Sequence, residues 1–85
     1  MGKKEDRELV RKSLIIQVID LALEEADKVD YEKLFEVTLP PREIPEGFHY
    51  GEIRGEVETA ATKTGLVFMG NERWTYRFYK RTPRS

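Results

Sequence analysis

Apolar residues recur at helical spacing over the first third of the chain. From Glu5 to Val29 there is neither glycine nor proline, and the apolar positions include Ile15, Ile19, Ala22 and Ala26. Acidic residues open this stretch, which suits the positive end of a helix dipole. The pattern predicts one long amphipathic helix at the N-terminus.

The apolar face of this helix is wide. At about 100° per residue it sweeps roughly 220°, whereas a helix packed on one sheet needs a stripe of only about 100°. We therefore expect burial on more than one side, and we predict a homodimer in which two copies meet through Leu14, Val18 and Leu21. The alternatives are that the sheet curls strongly around the helix, or that a short second helix and the proline-rich loop cover the additional face.

Residues 30–39 allow two interpretations. Asp30 has the side chain of an N-cap for one more helical turn, which would point Tyr31 and Leu34 inward. Alternatively, residues 34–39 already form a strand, with alternate apolar side chains on one face: Phe35, Val37 and Leu39. We place a short turn up to about Lys33 and the strand after it. Residues 40–47 hold three of the four prolines, so we expect an irregular, stiff connection there.

Residues 48–60 alternate between apolar or small residues and charged ones, which predicts a strand. Gly51, Ile53, Gly55 and Val57 fall on one face of this strand, and the glutamates Glu52, Glu56 and Glu58 fall on the other. Glycine on an otherwise apolar face indicates a bend or a close neighbour. We therefore expect either a bulky element close against the two glycines, such as the long helix or Trp74, or a bend.

Residues 66–81 predict a β-hairpin. The first strand, LVFMG, is almost wholly apolar, which favours a central position in the sheet or one face used for a partner. The residues GNER make the turn. In the returning strand, period two places one set of side chains inward (Trp74, Tyr76 and Phe78) and another outward (Thr75, Arg77, Tyr79 and Arg81).

These elements predict an α+β fold, with one long N-terminal helix packed on a mainly antiparallel sheet of three or four strands, in the order α-β-β-β-β. We expect residues 1–85 to form a single domain, since 85 residues is the size of one domain. Residues 40–47 are its proline-rich connection, and residues 82–85 are expected to form a flexible tail.

Charge and composition indicate the cellular compartment in which the protein is expected. Charged residues make up 36% of the chain, the formal net charge is −1, and there is no cysteine, so nothing requires an oxidising compartment. The charged N-terminus lacks the features of a signal peptide, and the apolar run LIIQVIDLAL is too short to span a bilayer. We expect a cytoplasmic protein without membrane contact.

Candidate chemistry is sparse. His49 is the only histidine, so a structural zinc site lacks ligands. No serine lies in a nucleophile motif, and alternating glutamates on a polar face are ordinarily solvated rather than catalytic. We therefore expect no catalytic residues, no metal, no cofactor and no enzymatic activity.

The C-terminal stretch raises the main functional question. The last thirteen residues carry five positive charges and no negative ones, and aromatic side chains lie among them, as in surfaces that bind nucleic acids. A candidate nucleic-acid site therefore comprises Arg77, Tyr79, Lys80, Arg81 and Arg84, which cations at the helix start, such as Arg7 and Arg11, could extend. In the opposing interpretation, these cations pair with glutamates of the same sheet.

We favour a small non-enzymatic binding protein that acts through protein–protein interaction, as an oligomeric adaptor, inhibitor or regulatory subunit. The wide apolar helix and the apolar strand support this class. Nucleic-acid binding is the alternative, because a net charge of −1 and a pI near 5.9 are unlike those of dedicated nucleic-acid domains. The sequence does not specify the partner.

Overall fold

The structure is a computed structural model that describes residues 3–83, with side chains from Asp6 onward. Helix α1 (Lys3–Ala26) is followed by strand β1 (Lys33–Thr38), helix α2 (Arg54–Lys63), strand β2 (Leu66–Glu72) and strand β3 (Thr75–Lys80). Two single 3-10 turns, Pro41–Glu43 and Tyr50–Glu52, lie between β1 and α2. The fold is α+β, as predicted, with a second, shorter helix in place of the fourth strand.

The sheet has three antiparallel strands in the order β1-β3-β2. The hairpin strand β3 is central and pairs with both neighbours, with Phe35 and Phe68 both opposite Phe78. Of the two interpretations of LVFMG, the central position is therefore wrong, because this stretch forms the edge strand β2; the use of one face for a partner stays a prediction. A bulge between Phe68 and Gly70 interrupts the pairing of this edge.

Both helices pack on one face of the sheet and form a two-layer molecule. The core contains Leu14 and Val18 of α1, together with Tyr76 and Phe78 of β3, all at most 1% exposed. The centre of the Phe78 ring lies 5.7 Å from that of Phe35 and 5.8 Å from that of Phe68. The central strand β3 therefore contacts both of its neighbours through aromatic side chains.

The prediction of a strand over residues 48–60 is wrong, because most of this stretch forms α2. Ile53, Val57 and Ala61 are fully buried and lie four residues apart, which is the spacing of one helix face. Two of them, Ile53 and Val57, also fit period two, so the short pattern was ambiguous. The residues expected in the core are there, but a helix places them.

The expectation of a bulky neighbour against the glycines is also wrong. A Cβ atom at Gly55 would meet nothing within 4 Å, since Gly55 lies on the exposed side of the first turn of α2. At Gly51 the nearest atoms belong to the imidazole of His49. Neither glycine is required by a packed helix or by Trp74.

For residues 30–39, the strand interpretation is confirmed. Phe35, Val37 and Leu39 are buried, whereas Leu34 is 65% exposed and Tyr31 is exposed too. The short turn at Tyr31 and Glu32 ends before the strand begins at Lys33. The long N-terminal helix is likewise confirmed, although it ends at Ala26, three residues before Val29.

The structure corrects the predicted oligomer interface. Leu14 is 1% exposed and Val18 is 0% exposed within a single chain, so neither side chain is accessible to a second copy. Leu21 is partly buried against the same core. The alternative cover proposed for the wide face is present in part, because α2 packs on α1.

The β2–β3 hairpin is confirmed, with its turn shifted. Tyr76 and Phe78 are fully buried and Trp74 is partly buried against the core, which matches the predicted inward set. The strand β2 runs through Gly70 and Asn71 to Glu72, so the connection is made by Arg73 and Trp74 rather than by GNER.

Candidate functional site

The face of the sheet opposite the helices carries an apolar row and a charged row of side chains across the strands. The first row is apolar and consists of Leu34, Tyr79 and Val67, one from each strand, which the strand register sets side by side. We call these three residues the sheet patch. Leu34 is 65% exposed, and Tyr79 and Val67 are partly buried. Tyr79 is thus flanked by aliphatic side chains rather than by cations.

The second row holds Arg77 between two acids. Its Nε donates to Glu36 of β1 at 3.0 Å, and its Nη2 lies 3.7 Å from a carboxylate oxygen of Glu72 of β2. Arg77 therefore pairs within its own sheet, although its partners are not the glutamates of residues 52–58. These pairs are exposed, so each contributes at most about 1 kcal/mol to the free energy of unfolding. With one cation and two acids, this part of the surface carries no excess positive charge.

Lys80 has a structural role. Its ammonium group donates to the carbonyl oxygens of Ala26 and Val29, at 2.5 and 2.9 Å, where α1 ends. It also lies 4.6 Å from the centre of the Tyr31 ring. A cation at this position satisfies carbonyls that the helix leaves free and opposes the negative end of the helix dipole. Lys80 is therefore committed to fixing α1 against the sheet.

The remaining residues of the predicted nucleic-acid site are dispersed. Arg81 is exposed just after β3, and Arg84 lies outside the described residues. Thr82, at the start of the predicted flexible tail, donates a hydrogen bond to Glu32 at 3.0 Å. Within the described part of the chain, two of the five predicted residues, Tyr79 and Arg81, form neither an ion pair nor a helix-capping hydrogen bond.

The arginines at the start of α1 belong to an internal network. Arg7 binds Glu52 at 2.7 Å and the carbonyl of Gly47, and it stacks over the Phe48 ring at 4.1 Å. Arg11 lies between Glu8 at 2.6 Å and Glu56 at 2.9 Å. The hydrogen bond that Arg11 donates to Glu8 and, second to it, the charge of Glu56 raise the pKa of Arg11. Both arginines therefore tie α1 to the segment containing α2.

A second apolar surface lies on α1. Leu9, Ile16 and Leu23 are spaced seven residues apart and are 65%, 59% and 38% exposed. We call these three residues the helix stripe. They account for the part of the wide apolar face that α2 and the sheet leave uncovered. The sequence indicated this excess, but two residues of the predicted interface, Leu14 and Val18, are buried. The seven-residue spacing was the signal that could have identified the exposed residues.

His49 has a local role in the backbone. Its Nδ1 accepts a hydrogen bond from the backbone N–H of Gly51 at 3.0 Å, and its ring stacks on Tyr50. Among residues 3–83, no group of three His, Cys, Asp or Glu side chains is arranged to hold a metal ion. Within the same range, no helix combines the length and apolar character needed to cross a bilayer.

Comparison of the chain with protein-family models, curated proteins and solved structures finds no match. The two apolar surfaces and the charges beside them are therefore the features of the molecule that bear on its function.

Proposed function

We propose that the protein is a small non-enzymatic binding protein that acts through protein–protein interaction, as a homodimeric adaptor, inhibitor or regulatory subunit. One observation carries this proposal: large apolar side chains remain outside the core on two separate surfaces, the helix stripe and the sheet patch. Exposed apolar patches are characteristic of protein interfaces, and the strand register sets the three residues of the sheet patch side by side.

The division into two surfaces supports an adaptor. The helix stripe belongs to the helical layer and the sheet patch to the opposite face of the sheet. A second copy bound to one surface therefore leaves the other accessible. Burial of apolar surface contributes about 25 cal/mol per Å², and each surface has polar neighbours that can form the rim of an interface.

The charges disfavour nucleic acid as the main partner. A phosphate approaching Tyr79 along the sheet would meet Glu36 and Glu72 on either side of Arg77. Lys80 would have to leave the end of α1 to contribute its charge. Nucleic-acid binding therefore remains the weaker alternative, with Arg81 as its described cation.

The proposed absence of enzymatic activity has a separate basis. His49 accepts a backbone hydrogen bond through Nδ1, and several carboxylates form ion pairs with Arg7, Arg11 and Arg77. These groups already have structural partners. We also propose a cytoplasmic location, because a chain without cysteine forms no disulfide bonds and so does not need an oxidising compartment.

Sedimentation equilibrium tests the homodimer at tens of micromolar protein. We expect a mass of twice the 10.0 kDa of one chain, whereas a single species of 10.0 kDa would overturn the homodimer. A second arm measures the anisotropy of labelled duplex DNA and single-stranded RNA. We expect no saturable binding in moderate salt. Saturable binding that Arg81→Ala weakens would favour the nucleic-acid alternative instead.

A further inference from the structure

We infer that the homodimer is an antiparallel pair of α1 helices, with the molecular two-fold axis beside Ile16 and with Leu9 of each copy against Leu23 of the other. This inference rests on the proposed homodimeric function and specifies its interface. Its residues differ from the buried Leu14 and Val18.

The spacing of the helix stripe indicates a helix as the occupant. An interval of seven residues over two helical turns corresponds to 3.5 residues per turn, whereas an α-helix has about 3.6 residues per turn. The stripe therefore drifts by about 20° per interval along α1. A second helix crossing at about 20° follows this drift and keeps contact along the whole stripe. A bound β-strand has a period of two and would not.

The symmetry of the stripe indicates that the second helix belongs to another copy of the same chain. A two-fold interface requires a self-complementary surface. Leu9 and Leu23 each lie seven residues from Ile16, one on each side. An antiparallel copy centred at Ile16 therefore pairs Ile16 with itself and Leu9 with Leu23 in both directions.

The charge distribution along α1 selects the antiparallel orientation. Residues 20–26 contain three acids and no Lys or Arg, a net charge of −3, whereas Arg7 and Arg11 in the N-terminal half of α1 are paired with Glu52 and Glu56 of the same chain. An antiparallel pair keeps the two acidic segments apart and sets each of them beside the N-terminal half of the other helix, where Lys12 is exposed. The two helix dipoles are then also opposed favourably. A parallel pair would set like charges together.

The stripe has the surroundings of an interface. Lys12, Ser13 and Asp20 are exposed beside it, so polar residues can border the contact. The distance from Leu9 to Leu23 is about 21 Å along the axis, at 1.5 Å per residue, and the three side chains of the stripe are exposed over this length. The internal pairs of Arg7 and Arg11 hold the N-terminal part of the helix in place.

Single-cysteine cross-linking tests this geometry, because the chain has no cysteine of its own. Ile16→Cys places two thiols beside the axis, and helices in contact bring such positions within the roughly 7 Å limit for a disulfide. We expect rapid oxidation to a covalent dimer in the full-length protein. Leu9→Cys alone should not cross-link, because its two copies lie about 21 Å apart along the axis.

Mixing provides the matched control. Leu9→Cys protein mixed with Leu23→Cys protein should form a mixed disulfide, while neither forms one alone. Cross-linking of Leu9→Cys with itself would indicate a parallel pair and overturn the inference. A wild-type dimer whose Ile16→Cys variant stays uncross-linked would also overturn it, although the homodimer would stand. A monomeric wild-type protein would overturn both.

Discussion

Tyr76 shows how one buried side chain sets a pH limit on the fold. It is the largest fully buried side chain, and its hydroxyl donates to the carbonyl of Tyr50 at 3.2 Å. Burial raises the pKa of Tyr76 to about 12, compared with about 10 for tyrosine in an unfolded chain. The folded state therefore retains a proton that the unfolded state loses between pH 10 and 12.

The stability contributed by neutral Tyr76 is complete below pH 10 and falls as the pH rises toward 12. The expected loss is about 1.4 kcal/mol per pH unit in that window. Urea unfolding at pH 9, 10.5 and 11.5 measures it. Tyr76→Phe should be less stable at pH 9 by about 1 kcal/mol but should show a shallower decline. Equal declines in the two proteins would contradict the assignment.

Lys80 provides a second prediction at the scale of one residue. Lys80→Met keeps the aliphatic stem but removes the donor to Ala26 and Val29. We expect the free energy of unfolding to fall by about 1–2 kcal/mol. The neighbouring Arg81→Met, at an exposed position, should change it by less than about 0.5 kcal/mol.

Chemical denaturation of both variants makes the comparison. If Lys80 instead served mainly to bind a polyanion, removing it would leave stability unchanged. The positive C-terminal stretch predicted cations, but it could not reveal this role. Strand pairing and helix length together place Lys80 beside the end of α1, and neither follows from the local sequence.

At the scale of elements, the sequence pattern was informative where only one period fitted. The stretch that forms α1 lacks glycine and proline, and its apolar residues, from Leu9 to Ala26, follow helical spacing over about five turns. The pattern of β3 placed Tyr76 and Phe78 inward correctly. Over residues 48–60, Ile53 and Val57 fit both a strand and a helix, and the glycines lowered the apparent helical propensity. Long-range packing against α1 and β2 decided the outcome.

Substitution of Gly55 distinguishes a helix from a strand over residues 54–60. In a helix with open space at the Cβ position, Gly55→Ala should raise the free energy of unfolding by about 0.5–1 kcal/mol. In the predicted strand, with a bulky element against the glycine, the same change would lower it.

Gly65 provides the contrasting control. It follows α2 with a φ of +85°, where residues other than glycine are strained. Gly65→Ala should therefore lower the free energy of unfolding by about 1 kcal/mol or more. Thermal and urea unfolding of the two variants test α2 directly, and destabilisation by Gly55→Ala would contradict its helical assignment.

At the scale of the whole molecule, the internal ion pairs and the apolar surfaces have different roles. Arg7, Arg11, Arg77 and Lys80 are engaged within the chain, while the helix stripe and the sheet patch remain accessible. The sequence indicated an excess of apolar surface on the helix but not its location. Which residues of a wide helix face stay outside depends on where α2 and the sheet pack, and this requires the fold.

Variants at equally exposed positions separate the two surfaces. Ile16→Lys introduces two facing charges at the proposed axis, and it removes two apolar side chains from the contact. Leu34→Lys makes a similar change on the sheet patch, at a position that is at least as exposed. Neither substitution touches the core, so circular dichroism should show both variants folded.

The most direct test of the central claim is sedimentation equilibrium of the wild type, Ile16→Lys and Leu34→Lys at the same concentrations. We predict that the wild type and Leu34→Lys form dimers of equal affinity. For Ile16→Lys, the dissociation constant of the dimer should rise by about 100-fold or more. A wild-type monomer, or an Ile16→Lys dimer as tight as the wild type, would contradict self-association through the helix stripe.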